Sequence, residues 1–326
     1  MGKKRALFIG ISFYDYDQAI IEEFNALGYD VDYFSEVPTG LLYRYYLRTN
    51  NKDKIQAYID RTSMHIADAC GSGYDCIFVI KGEYLTQPAI DKIRSKNPDS
   101  KWVLYLWDSI GRIPESKKIF ENFDSVYSFD RIDCLSNKNL IFNPLFFRKE
   151  YDSRSNGNQE IKYDIYFLGW YHSDRLKLAK KIVNFCSANY LNHKVILYTG
   201  YVNYLFHVLL GKELKGNKQY LIFKSITAKM NFDFIMKSKS TLDIAHPLQS
   251  GLTMRTIELL GAQKKIITTN GDIVHYDFYN PDNVLVIDRD SPILTKEFFE
   301  VPYVPVSENI IEKYSINNWL KRMFSA

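Results

Sequence analysis

One stretch near the end of the chain combines residue types that bind phosphates and sugars. Residues 250–261 read SGLTMRTIELLG, and a mostly apolar run follows at residues 265–269. The pattern predicts a glycine turn, a short helix carrying Arg255 and Glu258, and a buried strand. Such a helix start presents backbone N–H groups and a positive dipole end, which bind phosphate. The stretch therefore predicts a sugar-nucleotide site, and an ordinary turn and helix with an Arg255–Glu258 ion pair is the alternative.

Other candidate residues follow predicted strands. In the first half, Asp15, Glu83 and Asp108 each come after an apolar run. A carboxylate beside an acceptor hydroxyl can act as a general base, so these three are the candidate catalytic residues. Two of them have a structural alternative: Asp108 is also suited to a helix cap, and Glu83 to a charged turn. In the second half, His246 follows the run at residues 241–245. It is a candidate contact to a sugar nucleotide, and a structural histidine is the alternative.

The predicted elements that must position these residues alternate between strand and helix. Such alternation indicates parallel, doubly wound sheets, which bind ligands at the carboxyl ends of their strands. The pattern stops at a polar stretch near residues 150–160 and then starts again. We therefore predict a first domain at residues 1–149, a linker at 150–160, a second domain at 161–305 and a terminal helix within 306–326.

Composition limits the class of protein. The chain has 326 residues, 46% of them hydrophobic and 25% charged, which fits two soluble globular domains. The net charge of +4 is too small and too dispersed to indicate a nucleic-acid partner. The four cysteines show no zinc-ligand spacing and suit reduced thiols in a cytoplasm. They are Cys70, Cys76, Cys134 and Cys186.

Two sequence features concern membranes. The chain contains no run of about 18 apolar residues, so no transmembrane helix is predicted, and the short apolar run after the basic amino terminus indicates a strand. Residues 201–220 interleave aromatic side chains with lysines, which is typical of a surface that docks on an anionic membrane. A partly buried helix and loop is the alternative for this segment.

These residues resemble those of a known family. Three stretches carry the resemblance: residues 163–169 (YDIYFLG), 253–261 (TMRTIELLG) and 265–270 (KIITTN). Residues 79–83 (VIKGE) and 107–109 (WDS) are also similar to it. The chain resembles the GT-B glycosyltransferases, and among them the spore-maturation-type and the capsule or lipopolysaccharide members. The resemblance covers nearly the whole chain as an architecture, although the individual motifs are short.

The resemblance implies an α/β fold of two Rossmann-like domains that face each other across a cleft. The first domain would bind a glycan or lipid-linked acceptor and the second a nucleotide-sugar donor, with the terminal helix crossing back onto the first domain. The implied activity is transfer of a sugar to a hydroxyl of a surface polysaccharide or lipopolysaccharide. The implied location is the cytoplasm, with a peripheral contact at the inner membrane face.

The resemblance also implies roles for single residues. Glu258 would bind the ribose, Arg255 or Arg175 would add charge at the diphosphate, and Gly169 would allow a close approach. No metal or other cofactor is implied, because helix ends and basic side chains neutralise the leaving diphosphate in this family. With His246 added from its position, the full set of candidate donor-binding residues is Gly169, Arg175, His246, Gly251, Leu252, Thr253, Arg255 and Glu258.

One position departs from the family pattern. Many retaining members carry a glutamate eight residues before the ribose glutamate, and Ser250 stands there in this chain. The stereochemical course of the reaction is therefore open. Two alternatives to an enzyme also remain: a binding subunit for sugar nucleotides or glycans on the same fold, and an unrelated two-domain Rossmann protein. A nicotinamide dehydrogenase is disfavoured, because no GxGxxG follows the first strand.

Overall fold

The computed structural model describes residues 3–155, 159–172, 174–209, 214–247 and 249–324. These residues form two compact units. The first comprises the described parts of 1–145, 248–251 and 316–326, and the second those of 146–247 and 252–315. The chain thus first passes from one unit to the other between residues 145 and 146, before the stretch that was expected to be the linker.

The first unit contains a parallel sheet of six strands among the described residues. Its spatial order is β2-β1-β3-β4-β5-β6. The strands are β1 (Lys4–Gly10), β2 (Tyr29–Ser35), β3 (Cys76–Ile80), β4 (Lys101–Leu106), β5 (Ser125–Ser128) and β6 (Leu140–Phe142). Every residue of β3 is buried, which explains its unbroken apolar sequence, because helices cover both faces of a parallel sheet.

Helices surround this first sheet. In chain order they are α1 (Tyr16–Ala26), α2 (Leu41–Arg48), α3 (Lys52–Ala69), α4 (Gln87–Lys96) and α5 (Arg131–Ser136), with a 3₁₀ helix at Pro114–Asn122. The long helix α3 begins where the Asn51 side chain accepts a hydrogen bond from the backbone N–H of Lys54 at 3.2 Å.

The second unit repeats this architecture. Its six described strands are all parallel, in the order β12-β11-β10-β7-β8-β9. The strands are β7 (Tyr163–Trp170), β8 (His193–Tyr198), β9 (Leu221–Ile222), β10 (Ser238–Asp243), β11 (Lys265–Thr268) and β12 (Val284–Val286). The helices are α6 (Arg175–Ala188), α7 (Tyr201–Leu209), α8 (Ala228–Met236), α9 (Met254–Gly261), α10 (Lys296–Glu300) and α11 (Glu308–Lys313).

The single terminal helix expected within residues 306–326 is instead two helices. Helix α11 belongs to the second unit, whereas α12 (Ile316–Phe324) belongs to the first and packs against α1. The break is caused by a contact with a segment that is distant in sequence. The carbonyl of Tyr314 accepts a hydrogen bond from the backbone N–H of Phe147 at 2.9 Å, and Ser315 forms a β-bridge with Phe147, so the helical hydrogen bonding cannot continue.

Each unit has its own hydrophobic core. In the first unit, α12 contributes Trp319, which is fully buried with its ring 4.8 Å from that of Tyr105 and 5.9 Å from that of Phe78. Leu320 and Met323 are also buried on this helix. Across the described residues, each helix is too short or too polar to pass through a bilayer.

Candidate functional site

The order of the second sheet defines where a ligand would bind. From β7 the chain proceeds outward through β8 and β9, then returns to the other side of β7 with β10, β11 and β12. The connections therefore leave in opposite directions at the carboxyl ends of β7 and β10. In open α/β sheets this reversal creates a crevice that binds ligands. Gly169 lies at the end of β7, and residues 244–246 directly follow β10.

Arg175 links the two strand ends. Its Nη1 donates to the carbonyl of Trp170 at 3.4 Å and its Nη2 to the carbonyl of Ile244 at 3.3 Å. Its Nε is buried and donates to no acceptor in the described part of the chain. Burial, together with the charges of Arg255 and Arg289, lowers the pKa of Arg175 to about 10, although Asp243 opposes this. The guanidinium therefore lies in a dry, positively charged environment.

Two more arginines reach the same strand ends. Arg255, in the first turn of α9, donates from Nη2 to the carbonyl of Leu168 at 2.7 Å. Arg289 follows β12 and donates from Nη1 to the carbonyl of Ala245 at 2.6 Å. Arg289 also forms a bidentate pair with Asp174, at 2.5 and 2.7 Å. Both arginines thus bind backbone carbonyls at the carboxyl edge of the second sheet.

Two exposed histidines complete what we call the cationic cluster. Its members are His172, Arg175, His246, Arg255 and Arg289. Burial lowers the pKa of His172, and so do the charges of Arg175, His246 and Arg289, whereas Asp174 opposes this. Of the three arginines, Arg289 alone is paired with a carboxylate in the part of the chain that the structure describes. An anion with several oxygens, such as a diphosphate, is the ligand that this arrangement favours.

The start of α9 is fixed beside this cluster. Thr253 is the N-cap, and its Oγ1 accepts a hydrogen bond from the backbone N–H of Thr256 at 3.2 Å. The hydroxyls of Thr253 and Thr256 both donate to Oδ2 of Asp243, at 3.0 and 2.8 Å. Asp243 is the last residue of β10, so it ties the helix start to the strand end. Leu252 adds a buried side chain just before the helix.

Glu258 is buried and is paired with a residue other than Arg255. Its Oε1 lies 3.3 Å from Nε of Arg148, and both side chains are 8% exposed. Arg148 also pairs with Glu150 at 3.1 Å. An Arg255–Glu258 ion pair on the helix surface is therefore wrong, because burial places Glu258 against Arg148 while Arg255 binds the end of β7. The structure leaves the assignment of Glu258 to a ribose as a prediction.

Packing accounts for Gly169. A Cβ at this position would lie 2.6 Å from Cζ of the Phe167 ring and 3.5 Å from Nη1 of Arg175. The close neighbour that requires glycine is thus an aromatic ring within the same strand. A bulkier residue would also press on Arg175, so Gly169 remains coupled to the cationic cluster.

Gly251 belongs to the first unit, whereas it was expected to bind the donor as part of the second domain. Its backbone N–H donates to Oδ2 of Asp130 at 3.0 Å, and a Cβ there would lie 2.4 Å from the Phe129 ring. Ser250 Oγ donates to Asp130 as well, at 2.5 Å. Burial would raise the pKa of Asp130, but hydrogen bonds from Ser109, Ser250 and Gly251 outweigh it and lower the pKa. In this structure the backbone N–H of Gly251, which was expected to bind the diphosphate, therefore donates its hydrogen bond to the buried carboxylate of Asp130.

At the carboxyl edge of the first sheet, one lysine brings two candidate bases together. Lys81 Nζ lies 3.1 Å from Oε2 of Glu83 and 3.2 Å from Oδ2 of Asp108. Asp108 also accepts a hydrogen bond from Nη1 of Arg112 at 2.6 Å. A substrate hydroxyl would have to compete with these cations for the lone pairs of both carboxylates.

Asp15 differs from the other two candidates. Its side chain is exposed and forms no hydrogen bond or ion pair in the described part of the chain. Its backbone is left-handed, with φ of 60°, directly after Tyr14 with φ of 48°. Two successive non-glycine residues in this region store strain, which is often found at functional sites. No described contact links Asp15 to Glu83 or Asp108.

A small apolar pocket opens at this edge of the first unit. Its lining residues are Phe8, Ile11, Phe13, Tyr16, Asp17, Ile20, Ile80 and Trp107. The rings of Tyr16 and Trp107 lie 5.7 Å apart. Aromatic rings with a nearby carboxylate can contact both the apolar face and the hydroxyls of a sugar. Asp15 lies between Phe13 and Tyr16 in sequence, so it belongs to the loop that lines this pocket.

Sequence reasoning missed Glu36, Asp243, His172 and Arg289. Glu36 is fully buried, and its carboxylate accepts hydrogen bonds from the backbone N–H groups of Glu83 at 3.3 Å and Tyr84 at 3.2 Å. Glu36 directly follows β2, and Arg289 comes three residues after β12. A position just after a predicted strand is the sequence signal that could have identified both residues. Among the described residues, no group of His, Cys, Asp or Glu side chains is arranged to hold a metal ion.

Comparison with known proteins adds evidence on the fold. No protein-family model and no curated protein matches the sequence. Among solved structures, the chain is similar to Anabaena HepE in complex with UDP and glucose, with a TM-score of 0.59 and 10% identity over 98% of this chain and 99% of that one. It is also similar to the lipopolysaccharide outer core galactosyltransferase WaaB in its apo form, with a TM-score of 0.53 and 14% identity over 98% and 99%.

A third similar structure is an alpha-glucosyltransferase in complex with UDP and a 13-mer DNA, with a TM-score of 0.52 and 10% identity over 99% of this chain and 96% of that one. Together with the two six-stranded parallel sheets, these similarities decide the architecture. The chain has the GT-B fold. At such low identities a GT-B likeness establishes the fold alone, so the activity must be argued from the site.

Proposed function

We propose that this GT-B protein is a glycosyltransferase whose second unit binds a nucleoside-diphosphate sugar. The observation that carries the proposal is the cationic cluster at the strand-order reversal, where Arg175 and Arg255 hold charges that no carboxylate pairs with in the described residues. A leaving diphosphate develops negative charge in the transition state, and fixed cations stabilise it. The proteins of similar structure that were solved with UDP are in accord with this ligand class.

The same cluster supports transfer without a metal ion. Arg175 and Arg255, which pair with no carboxylate among the described residues, supply positive charge of the kind that a divalent cation supplies elsewhere. We assign ribose recognition to Glu258, which lies about one helical turn beyond Arg255. Donor contacts are assigned to Leu252, Thr253 and His246 by their positions beside the cluster.

The acceptor is assigned to the first unit. The aromatic side chains near Asp15 offer an apolar face on which a sugar ring could stack. A hydroxyl of a surface polysaccharide or lipopolysaccharide, free or lipid-linked, is the proposed acceptor. Asp15 is the preferred general base, because the other two candidates are already paired with cations. Lys81 pairs with both Glu83 and Asp108, and Arg112 pairs with Asp108 as well. A protein with these substrates would work in the cytoplasm at the inner face of the membrane.

The donor assignment is tested by nucleotide binding. The melting temperature would be screened with UDP, GDP, CMP, ADP and dTDP, each in EDTA and in magnesium. One nucleotide should stabilise the protein in EDTA, by about 2.7 kcal/mol at a concentration near 100 times its Kd. Arg255→Gln and Arg175→Gln should each weaken its affinity about tenfold or more, since hydrogen bonds to charged groups contribute about 1.5–3 kcal/mol.

A matched control is available at the opposite edge of the same sheet. Lys239 lies near the start of β10 and pairs with Asp164 at 2.7 Å, so Lys239→Gln should leave nucleotide affinity unchanged. Unchanged affinity in both arginine variants would refute the donor site. Nucleotide binding without hydrolysis or transfer of the corresponding sugar nucleotide would instead indicate a binding subunit on the same fold.

The ribose assignment needs a conservative variant. Glu258→Ala would leave buried Arg148 without its partner, and breaking a buried pair costs about 3–5 kcal/mol, so lost binding could simply reflect unfolding. Glu258→Gln keeps an amide oxygen for Arg148. It should lower nucleotide affinity at a nearly unchanged melting temperature, and unchanged affinity would remove Glu258 from the site.

A further inference from the structure

Helix α7 presents an apolar face to solvent. Five of its side chains are between 41% (Leu205) and 84% (Leu209) exposed: Tyr201, Val202, Leu205, Phe206 and Leu209. Their spacing places them on one side of the helix, about 140° wide. No charged side chain interrupts this face. A contiguous apolar surface of this kind marks an interaction site rather than scattered exposure.

The other side of α7 is anchored in the second unit. Tyr204 and Val208 pack against the hydrophobic core, and the ring of Tyr204 lies 5.1 Å from that of Phe223. The ring of His207 lies 5.4 Å from that of Tyr171, just beyond β7. Because the inward side is already packed, the outward side chains cannot belong to the same core. The exposed face is therefore the outer side of a well-seated helix.

The sequence segment that contains and follows α7 is strongly basic. Residues 201–232 contain five lysines and one glutamate, so this segment alone carries a net charge equal to the +4 of the entire protein. Lys215, Lys218, Lys224 and Lys229 are all exposed. Such a charge repels a second copy of the same segment and attracts an anionic surface.

We propose that the apolar face of α7 docks on an anionic lipid bilayer. Tyr201, Val202, Leu205, Phe206 and Leu209 would enter the boundary between headgroups and acyl chains, and the lysines would lie among the anionic headgroups. Apolar side chains flanked by lysines are the combination that binds interfacial membranes. The proposal does not rest on sugar transfer, and it accounts for two features together, the apolar face and the local excess of charge.

The test is flotation of the full chain with lipid vesicles. Vesicles of phosphatidylcholine with phosphatidylglycerol should bind the protein, and vesicles of phosphatidylcholine alone should bind it at least about tenfold more weakly. The double substitution Val202→Ser with Phe206→Ser should lower partitioning at least about tenfold, because each buried methylene contributes to insertion. Lys215→Gln with Lys218→Gln should lower partitioning onto anionic vesicles about fivefold per lysine. Added salt should also lower this partitioning, because it screens the attraction to the headgroups.

The first unit offers a matched control. Leu41 and Leu42 of α2 are 82% and 59% exposed. Because the proposal places the docking surface on α7, Leu41→Ser with Leu42→Ser should leave vesicle binding unchanged. The proposal is overturned if anionic vesicles bind no protein, or if the α2 substitutions reduce binding as much as those in α7. It is also overturned if light scattering shows an oligomer that the α7 substitutions dissociate. Nucleotide affinity, measured in parallel, should stay the same, which separates this test from that of the donor site.

Discussion

At the scale of single residues, Glu36 is the most perturbed carboxyl at the edge of the first sheet. Burial raises its pKa to about 8, against the opposing effects of the Tyr84 and Glu83 backbone N–H groups and of Lys81. The folded state thus keeps a proton that the unfolded chain releases near its ordinary pKa of 4.5. The stability that the neutral form contributes is complete below pH 4.5 and is lost as the pH rises through about 8.

This predicts a pH dependence that one substitution removes. Between pH 5 and 8 the free energy of unfolding should fall by up to about 1.4 kcal/mol per pH unit through Glu36. In Glu36→Gln this part of the slope should disappear, so the wild type exceeds the variant in stability most at pH 5. Urea unfolding across this range measures both curves. Glu22→Gln, at an exposed position of α1, should run parallel to the wild type, and a parallel Glu36→Gln curve would contradict the assignment.

Asp15 carries a prediction about the reaction. Asp15→Asn should slow turnover of the sugar nucleotide chosen by the melting screen by about 10²–10⁴-fold, the usual contribution of a general base. Its nucleotide affinity should not change, because the donor residues lie in the other unit. Asp108→Asn, which removes a carboxylate already held by Lys81 and Arg112, should slow turnover less. Equal losses in the two variants would transfer the role to Asp108.

At the scale of elements, the turn after β3 determines how Lys81 is presented. Lys81 and Gly82 have positive φ angles of 75° and 64°. The backbone N–H of Lys81 donates to the carbonyl of Tyr105 at 2.9 Å, and Oγ of Ser116 donates to the carbonyl of Lys81 at 2.8 Å. These bonds, with those from Glu83 and Tyr84 to Glu36, hold an otherwise strained turn in one conformation.

Gly82→Ala should therefore be costly. The added Cβ would lie 2.7 Å from Cδ1 of Ile119 at a φ that disfavours every residue with a side chain, so we expect a loss of about 2–4 kcal/mol in the free energy of unfolding. Gly111→Ala is the matched control, since a Cβ there meets no atom within 4 Å and its φ is not in the left-handed region. Chemical denaturation of both variants provides the comparison, and equal stabilities would show that the turn relaxes freely.

The elements differ in how well sequence predicts them. The amphipathic periodicity of residues 52–69 predicts a helix with the bounds of α3, and the apolar run at 76–80 predicts a strand with the bounds of β3. Local periodicity and burial on both faces determine these two segments. For the segment of α7 the sequence left two alternatives open, since its apolar residues lie on the exposed side of the helix as well as on the buried side. The break between α11 and α12 was missed because its cause, the bond from Phe147 to Tyr314, comes from a distant part of the chain.

The candidate site shows the same distinction. Arg255 was predicted from its place on the helix after a glycine turn, and Arg175 was implied by the family resemblance; the structure brings both to the strand-order reversal. The alternative ion pair between Arg255 and Glu258 does not form, because Arg148, from a segment 110 residues away in sequence, pairs with Glu258 instead. Local pattern finds the edge of the sheet where residues gather, but only the folded chain decides which pairs form.

At the scale of the whole molecule, the first core is built from both ends of the described chain. Trp319 of α12 fills a space between Tyr105 and Phe78, and Phe324 packs on Phe24 with ring centroids 5.2 Å apart. Oδ1 of Asn143 accepts a hydrogen bond from Nε of Arg322 at 2.8 Å. The first unit therefore depends on residues that follow the entire second unit in sequence.

Trp319→Ala should destabilise the first unit by about 3–5 kcal/mol, as expected for a large side chain removed from a packed core. Lys321→Ala, an exposed position on the same helix, should cost less than about 0.5 kcal/mol. Calorimetry of both variants would separate the transition of the first unit from that of the second. A Trp319→Ala loss below about 1 kcal/mol would show that α12 is peripheral to the core.

The position of α12 has a consequence for biosynthesis. A ribosome adds about 5–20 residues per second, so residues 3–145 emerge on the order of ten seconds before Ile316–Phe324 does. During that interval the nascent first sheet has an uncovered apolar patch around Phe24, Phe78 and Tyr105, where Trp319 and Phe324 will later pack. The second unit can complete its core while this patch is still open. The nascent first unit is therefore the part of the chain most accessible to chaperones and proteases and most prone to aggregate. This period ends when α12 has been translated and can pack on the patch.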